Sequence, residues 1–143
     1  MKKLLFLLIP GFALAQSTDQ NFVKTTIYRG EGAANPLHQV TYFDGLGRPI
    51  QKVDNAQSNS GKDIITHIEY DKFGRQVKDY LPYPNSQNTM EYIDSTSATI
   101  GTLSYYQGVY SDPNPFSEKL FENSPLDKVL KQAAPGSSWV MGG

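Results

Sequence analysis

Apolar and polar positions alternate most regularly in three stretches. In Asn21 to Arg29 (NFVKTTIYR), Val23, Thr25 and Ile27 share one face, which is the period of a strand. Gln39 to Phe43 and Ile64 to Tyr70 are rich in β-branched and aromatic residues, as a pleated surface prefers. Within the later stretch Ile64, Thr66, Ile68 and Tyr70 face one way, and Ile65, His67 and Glu69 the other. That predicts one buried and one wet face, as in an antiparallel sheet.

Both stretches run into the same turn signature. Thr41-Tyr42-Phe43-Asp44-Gly45-Leu46-Gly47-Arg48-Pro49-Ile50 and Ile68-Glu69-Tyr70-Asp71-Lys72-Phe73-Gly74-Arg75-Gln76-Val77 are set 27 residues apart. Each carries an aromatic-Asp pair, then Gly-Arg, one variable residue and a β-branched residue. Asp44 and Asp71 can each accept a backbone N–H two residues on. Gly47 and Gly74 supply the positive φ of a type I turn closed by a bulge. Two hairpins are therefore predicted, at about 39–53 and 63–80. Pro49 cannot donate to a ladder, which puts the return strand at an edge or a bulge. Asp54 to Lys62 is a polar loop, and Leu81-Pro82-Tyr83-Pro84 is extended.

The C-terminal third reads differently. Ile93, Ser97, Ile100 and Ser104 are helix-spaced, though Ser, Thr and Gly are poor helix formers; a short helix is expected from about Asp94 to Tyr106. Ser124-Pro125-Leu126-Asp127 has the form of a helix start, with a Ser cap, Pro at the first position and an acid in the first turn. Leu126, Val129, Leu130 and Ala133 then make one apolar face, and Pro135-Gly136 ends it. A helix is predicted over about 124–133.

YFDGLGRPI and EYDKFGRQV resemble YD repeats, the aromatic-Asp-x-x-Gly-Arg units of bacterial RHS/YD-repeat proteins; Phe43 replaces the Tyr in the first copy. Tyr105-Tyr106 and Asn114 to Trp139 resemble the end of the uncharacterised N-terminal domain that precedes the repeat array in such secreted proteins. The resemblance covers roughly Asn21 to Trp139. It supports the 94–106 helix, and it implies that repeats continue, winding a sheet into a hollow shell around a C-terminal effector. The expected fold is mainly β: antiparallel hairpins of YD-repeat type with one or two short helices, the start of a larger β-shell.

Residues 1–15 read as a leader. Lys2 and Lys3 precede an apolar run, Pro10-Gly11 breaks it, and Ala13-Leu14-Ala15 is a small-x-small cleavage site. Residues 16–143 then form one domain. The 128 residues after Ala15 hold 11 Lys and Arg against 14 Asp and Glu, a net charge of −3, because both leader charges are lysines. That balance argues against nucleic acid and anionic membrane as partners, and membrane involvement is limited to export. Leu, Ile, Val and Phe supply only 26 of those 128 residues, so the core is thin. It leans on nine Tyr, whose rings add apolar surface with a polar tip. The absence of cysteine leaves no disulfides or lipid-attachment thiol.

Candidate chemistry is sparse. Asp44 and Asp71 are each accounted for by their own turn. Arg48 and Arg75 are expected to cover apolar neighbours and to meet a carboxylate on an adjacent strand. His38 and His67 lack partners at ligand spacing, so no metal and no cofactor is expected. Gly45-x-Gly47 is a turn, not a phosphate cradle, and no Gly-x-Ser-x-Gly elbow occurs. Tyr105, Tyr106 and Tyr110 serve either aromatic packing, the favoured use, or a sugar-stacking platform. The expected function is non-catalytic and structural: the exported N-terminal part of a repeat protein. Its partner is the remainder of the shell or an adjoining chain. The alternative is an exported surface-binding or adhesion module for glycan or protein. Trp139 lies close to the end of the chain, which adds the expectation that this domain is incomplete as a folding unit.

Overall fold

The structure is a computed structural model that describes residues 20–30 and 35–142. The expected leader, 1–15, lies outside the described residues. The architecture is mainly antiparallel β in two sheets, with one long helix. In chain order the strands are β1 (Asn21–Ile27), β2 (Leu37–Phe43), β3 (Pro49–Asp54), β4 (Ile64–His67), β5 (Lys78–Tyr80) and β6 (Tyr83–Pro84). Helix α1 (Ser95–Tyr110), strands β7 (Phe116–Phe121) and β8 (Val129–Ala133), and a 3-10 turn at Ser137–Trp139 follow. The first sheet runs β1-β2-β3-β4-β6 and the second β5-β7-β8.

Register decides which side of the first sheet is buried. Val40 pairs with Val53, and Val53 with Ile65; Tyr42 pairs with Gln51, and Gln51 with His67. These residues form one continuous row, and all are buried. The buried side of β4 is thus Ile65 and His67; the more apolar row of Ile64, Thr66, Ile68 and Tyr70 is only half-buried. Pairing with Val53 and Gln51 overrides the local apolar count, because a one-residue slip would turn every side chain over. Pro49 opens β3 beside a bulge at Tyr42/Phe43, although β3 itself is interior to the sheet.

The buried face is thatched by segment 87–94 and by α1. Gln51 pairs with Ile93 as a strand would: its Nε2 donates to Ile93 O (2.8 Å), and Ile93 N donates to its Oε1 (3.0 Å). The Tyr42 hydroxyl donates to Met90 O at 2.6 Å. Asp94 caps α1 by accepting from Ser97 N at 3.0 Å, and Ser111 closes it in a left-handed conformation with φ 56°. Packing and caps thus carry a helix that intrinsic propensity disfavours. Ala98 and Thr102 are buried on its inner side, and Gly101 lets the Tyr83 ring approach its backbone.

Two predicted elements are corrected. The second hairpin, at about 63–80, keeps its turn, but its arms part into different sheets. β4 pairs with β3, β5 pairs with β7, and only an isolated bridge between Ile68 and Asp79 joins the arms. The aromatic rows explain the split: Tyr80 faces His67 on one side and Phe116 on the other, at 5.3 and 5.5 Å between centroids. The helix predicted over 124–133 is a β-turn followed by β8. Asp127 N donates to Ser124 O at 3.3 Å, and Val129–Ala133 pairs antiparallel with β7. Ser-Pro opens a type I turn as readily as a helix. The stretch between Pro125 and Pro135 is also too short for a stable isolated helix.

Candidate functional site

The two Asp-x-x-Gly-Arg turns are nearly the same object. In the first, Asp44 N donates to Arg48 O at 2.9 Å and Gly47 N to Asp44 O at 3.0 Å; in the second, Asp71 N donates to Arg75 O and Gly74 N to Asp71 O, both at 2.9 Å. Asp44 Oδ1 accepts from Leu46 N and Arg48 N (2.9 and 2.8 Å), and Asp71 Oδ1 from Phe73 N and Arg75 N (2.9 Å each). Gly47 and Gly74 have φ of 76° and 82°. Each arginine folds back onto its own turn: Arg48 Nε and Nη2 lie 2.8 Å from Asp44 Oδ2. Arg75 Nε and Nη2 lie 2.9 and 2.8 Å from Asp71 Oδ2. The carboxylate each meets is thus that of its own turn and not, as expected, only one on an adjacent strand; Arg75 adds a second, Asp127 Oδ1, at 3.2 Å.

These bonds hold both carboxylates ionised. The Arg48 backbone N–H leads in lowering the Asp44 pKa. Partial burial pulls Asp71 upward, but the N–H and guanidinium of Arg75 outweigh it, and the net direction is down.

A third turn was hidden in the sequence. Glu122 N donates to Lys128 O at 2.9 Å, the same closing bond with the base six positions after the acid where the others have it four positions after. Phe121 supplies the aromatic, Glu122 the acid, Lys128 the base, and Asp127 the left-handed residue with φ 50°. A bulge precedes the aromatic at Leu120/Phe121, as one does at Tyr42/Phe43. The aromatic-acid pair was the available signal; the longer spacing and the missing glycine concealed it.

The three turns are cross-linked in series. The Arg48 guanidinium lies over the ring of Tyr70, 4.4 Å from its centroid, and that of Arg75 over Phe121 at 4.9 Å. Each cation of one turn therefore covers the aromatic that opens the next, a contact worth about 0.5–1 kcal/mol at exposed sites. A Cβ on Gly74 would meet Arg48 Nη1 at 2.8 Å, whereas one on Gly47 would meet open space. Gly74→Val should therefore cost more than Gly47→Val. Both carry the left-handed penalty of roughly 1–2 kcal/mol, and only the first dislodges Arg48 from Tyr70. Urea denaturation of the two variants checks this ordering.

The cluster that most resembles catalytic machinery is Ser95, His67 and Glu69. Ser95 Oγ lies 3.4 Å from His67 Nε2, and Glu69 Oε2 lies 3.8 Å from the same nitrogen. A relay needs the acid on the other nitrogen, and Nδ1 is buried with no hydrogen-bond partner among the described residues. The arrangement is a buried imidazole, 3% exposed; burial lowers its pKa against a weaker upward pull from Glu69. Well above the ordinary value of 6.5 neither folded nor unfolded chain binds this proton. Below it the unfolded chain binds a proton that the folded chain resists, so stability falls as pH drops. Thermal melts between about pH 7.5 and about pH 5 should show this decline, flattened in His67→Gln.

Among the described residues no group of three His, Asp or Glu is arranged to hold a metal. No described helix is long and apolar enough to cross a membrane.

Fold and turns together define a β wall whose turns are locked internally and stacked on one another. Residues 16–143 match the family described as Domain of unknown function (DUF6443), and the chain belongs to it. No curated protein and no solved structure matches the chain.

Proposed function

We propose that this domain is a non-catalytic structural unit: the opening wall of an exported β-shell of RHS/YD-repeat type, whose later repeats enclose a C-terminal effector. The observation that carries this reading is the serial stacking of Arg48 on Tyr70 and Arg75 on Phe121. It is a rule for adding turns, and it has an open end. Lys128 occupies the position of the stacking cation in the third turn. Among the described residues β8 beyond it pairs only with β7, and Val129, Leu130 and Trp139 are exposed. An edge with unpaired N–H and C=O groups accepts another strand. The partner is then the remainder of the shell, or an adjoining chain. Export rests on Lys2-Lys3, the apolar run and Ala13-Leu14-Ala15.

The test is hydrogen exchange on the chain with and without the units encoded beyond codon 143. The reading expects Tyr-Asp-x-x-Gly-Arg units there and protection of the β8 amides once they are appended. A frame without such units, or β8 amides equally unprotected in both proteins, contradicts it.

A further inference from the structure

A groove of about 490 Å³ runs between the C-terminal tyrosines of α1 and the loop at 57–60, a volume in the range of small-molecule sites. Its floor is aromatic. The rings of Tyr106 and Tyr110 are stacked, with 25° between their planes and 5.5 Å between centroids, and Tyr105 stands edge-on to both. The Tyr106 hydroxyl donates to Pro82 O at 2.9 Å, which fixes that ring, while Tyr110 is 63% exposed.

The facing wall is neutral and polar, and it is already folded. Ser58 N donates to Lys62 O (3.0 Å), Gly61 N to Ser58 O (2.9 Å) and Lys62 N to Ser58 Oγ (2.7 Å). Gln57, Ser58, Asn59 and Ser60 line that side; Gln57 Nε2 donates to Asn55 O and the Ser58 and Ser60 hydroxyls pair with each other, both at 3.2 Å, which holds these groups in place while hydroxyl and amide capacity remains for a ligand. Among the described residues none that lines the groove is Lys, Arg, His, Asp or Glu, so a phosphate, sulfate or uronate would find no charged partner among them.

We propose that this groove binds a neutral oligosaccharide, the apolar C–H face of a pyranose lying on Tyr110 and its hydroxyls meeting the amides and hydroxyls of loop 57–60. A hexopyranose with equatorial hydroxyls, such as β-linked glucose or N-acetylglucosamine, offers both surfaces. An aromatic groove also suits a proline-rich peptide. Such a ligand has no N–H at its prolines, so it leaves a wall of four hydrogen-bonding side chains largely unused, and the sugar fits better. This inference is independent of the wall reading above.

The experiment is calorimetric titration of the full chain with cellohexaose, chitohexaose and decaproline. At least one hexasaccharide binds, and its affinity falls tenfold or more in Tyr110→Ala and in Asn59→Ala. It is unchanged in Tyr28→Ala, which removes a tyrosine just as exposed but outside the groove. The proposal is overturned if neither saccharide binds at millimolar concentration, if binding survives Tyr110→Ala, or if only decaproline binds in a Tyr110-dependent way.

Discussion

Asp63→Ala should cost about 2–4 kcal/mol, because it strands three part-buried donors, each towards the lower end of the roughly 1–3 kcal/mol range since water recovers part of the loss. Asp63 is 1% exposed. Its Oδ1 accepts from Asn55 Nδ2 (2.8 Å) and Ala56 N (2.9 Å), and its Oδ2 from Met90 N (2.8 Å). Its own N–H donates to Gln87 O and its carbonyl accepts from Asn85 N. One residue thus ties the 55–62 loop and the 85–90 segment to the start of β4. Among the described residues no ion pair involves it. Asp63→Asn should cost less, since one oxygen survives while the new NH₂ opposes a donor. Denaturant unfolding of the two variants measures both costs, and equal stability in Asp63→Ala and wild type would reject the hub.

The second large effect reverses a familiar rule. Gly→Ala in a helix ordinarily stabilises by about 1 kcal/mol. At Gly101 a Cβ would lie 2.5–2.7 Å from three atoms at the end of the Tyr83 ring. That ring is 5% exposed and belongs to the core cluster, so it has nowhere to retreat. Overpacking of this kind costs roughly 1–3 kcal/mol, and Gly101→Ala should be net destabilising by about 1 kcal/mol. Gly108, in the same helix, has open space around its Cβ position; Gly108→Ala should stabilise by about 1 kcal/mol. Melting temperatures of the two variants should move in opposite directions.

What the sequence made legible was whatever is local. The Asp-x-x-Gly-Arg turns close within five residues, so residue identity alone specifies them. β1 and the helix after Asp94 also follow from nearby residues, although α1 continues to Tyr110, four residues past the expected end. What escaped was non-local. Nothing near Tyr80 says that it joins β7 instead of returning to β4; Phe116 decides it from 36 positions away. Ser124-Pro125 fits a turn and a helix start equally well, and only pairing with β7 chooses between them. Asp63, Gln51 and His67 read as ordinary strand or loop residues, yet they are the buried polar anchors. Their partners lie across the fold, at Met90, Ile93 and Ser95. The tyrosine groove was half visible: its aromatics are clustered in sequence, but the polar wall opposite them comes from a distant loop.

On the function proposed above the stack of turns continues past β8, and one measurement addresses that directly. Residues 16–143, purified alone, should be studied by analytical ultracentrifugation with thermal unfolding on the same sample. The account predicts concentration-dependent association through the exposed edge and a weak transition. Appending further aromatic-Asp-x-x-Gly-Arg units should suppress the association and raise the melting temperature. A strictly monomeric 16–143 that unfolds cooperatively well above ~65 °C, beyond the usual mesophile range, would contradict it and identify a finished domain.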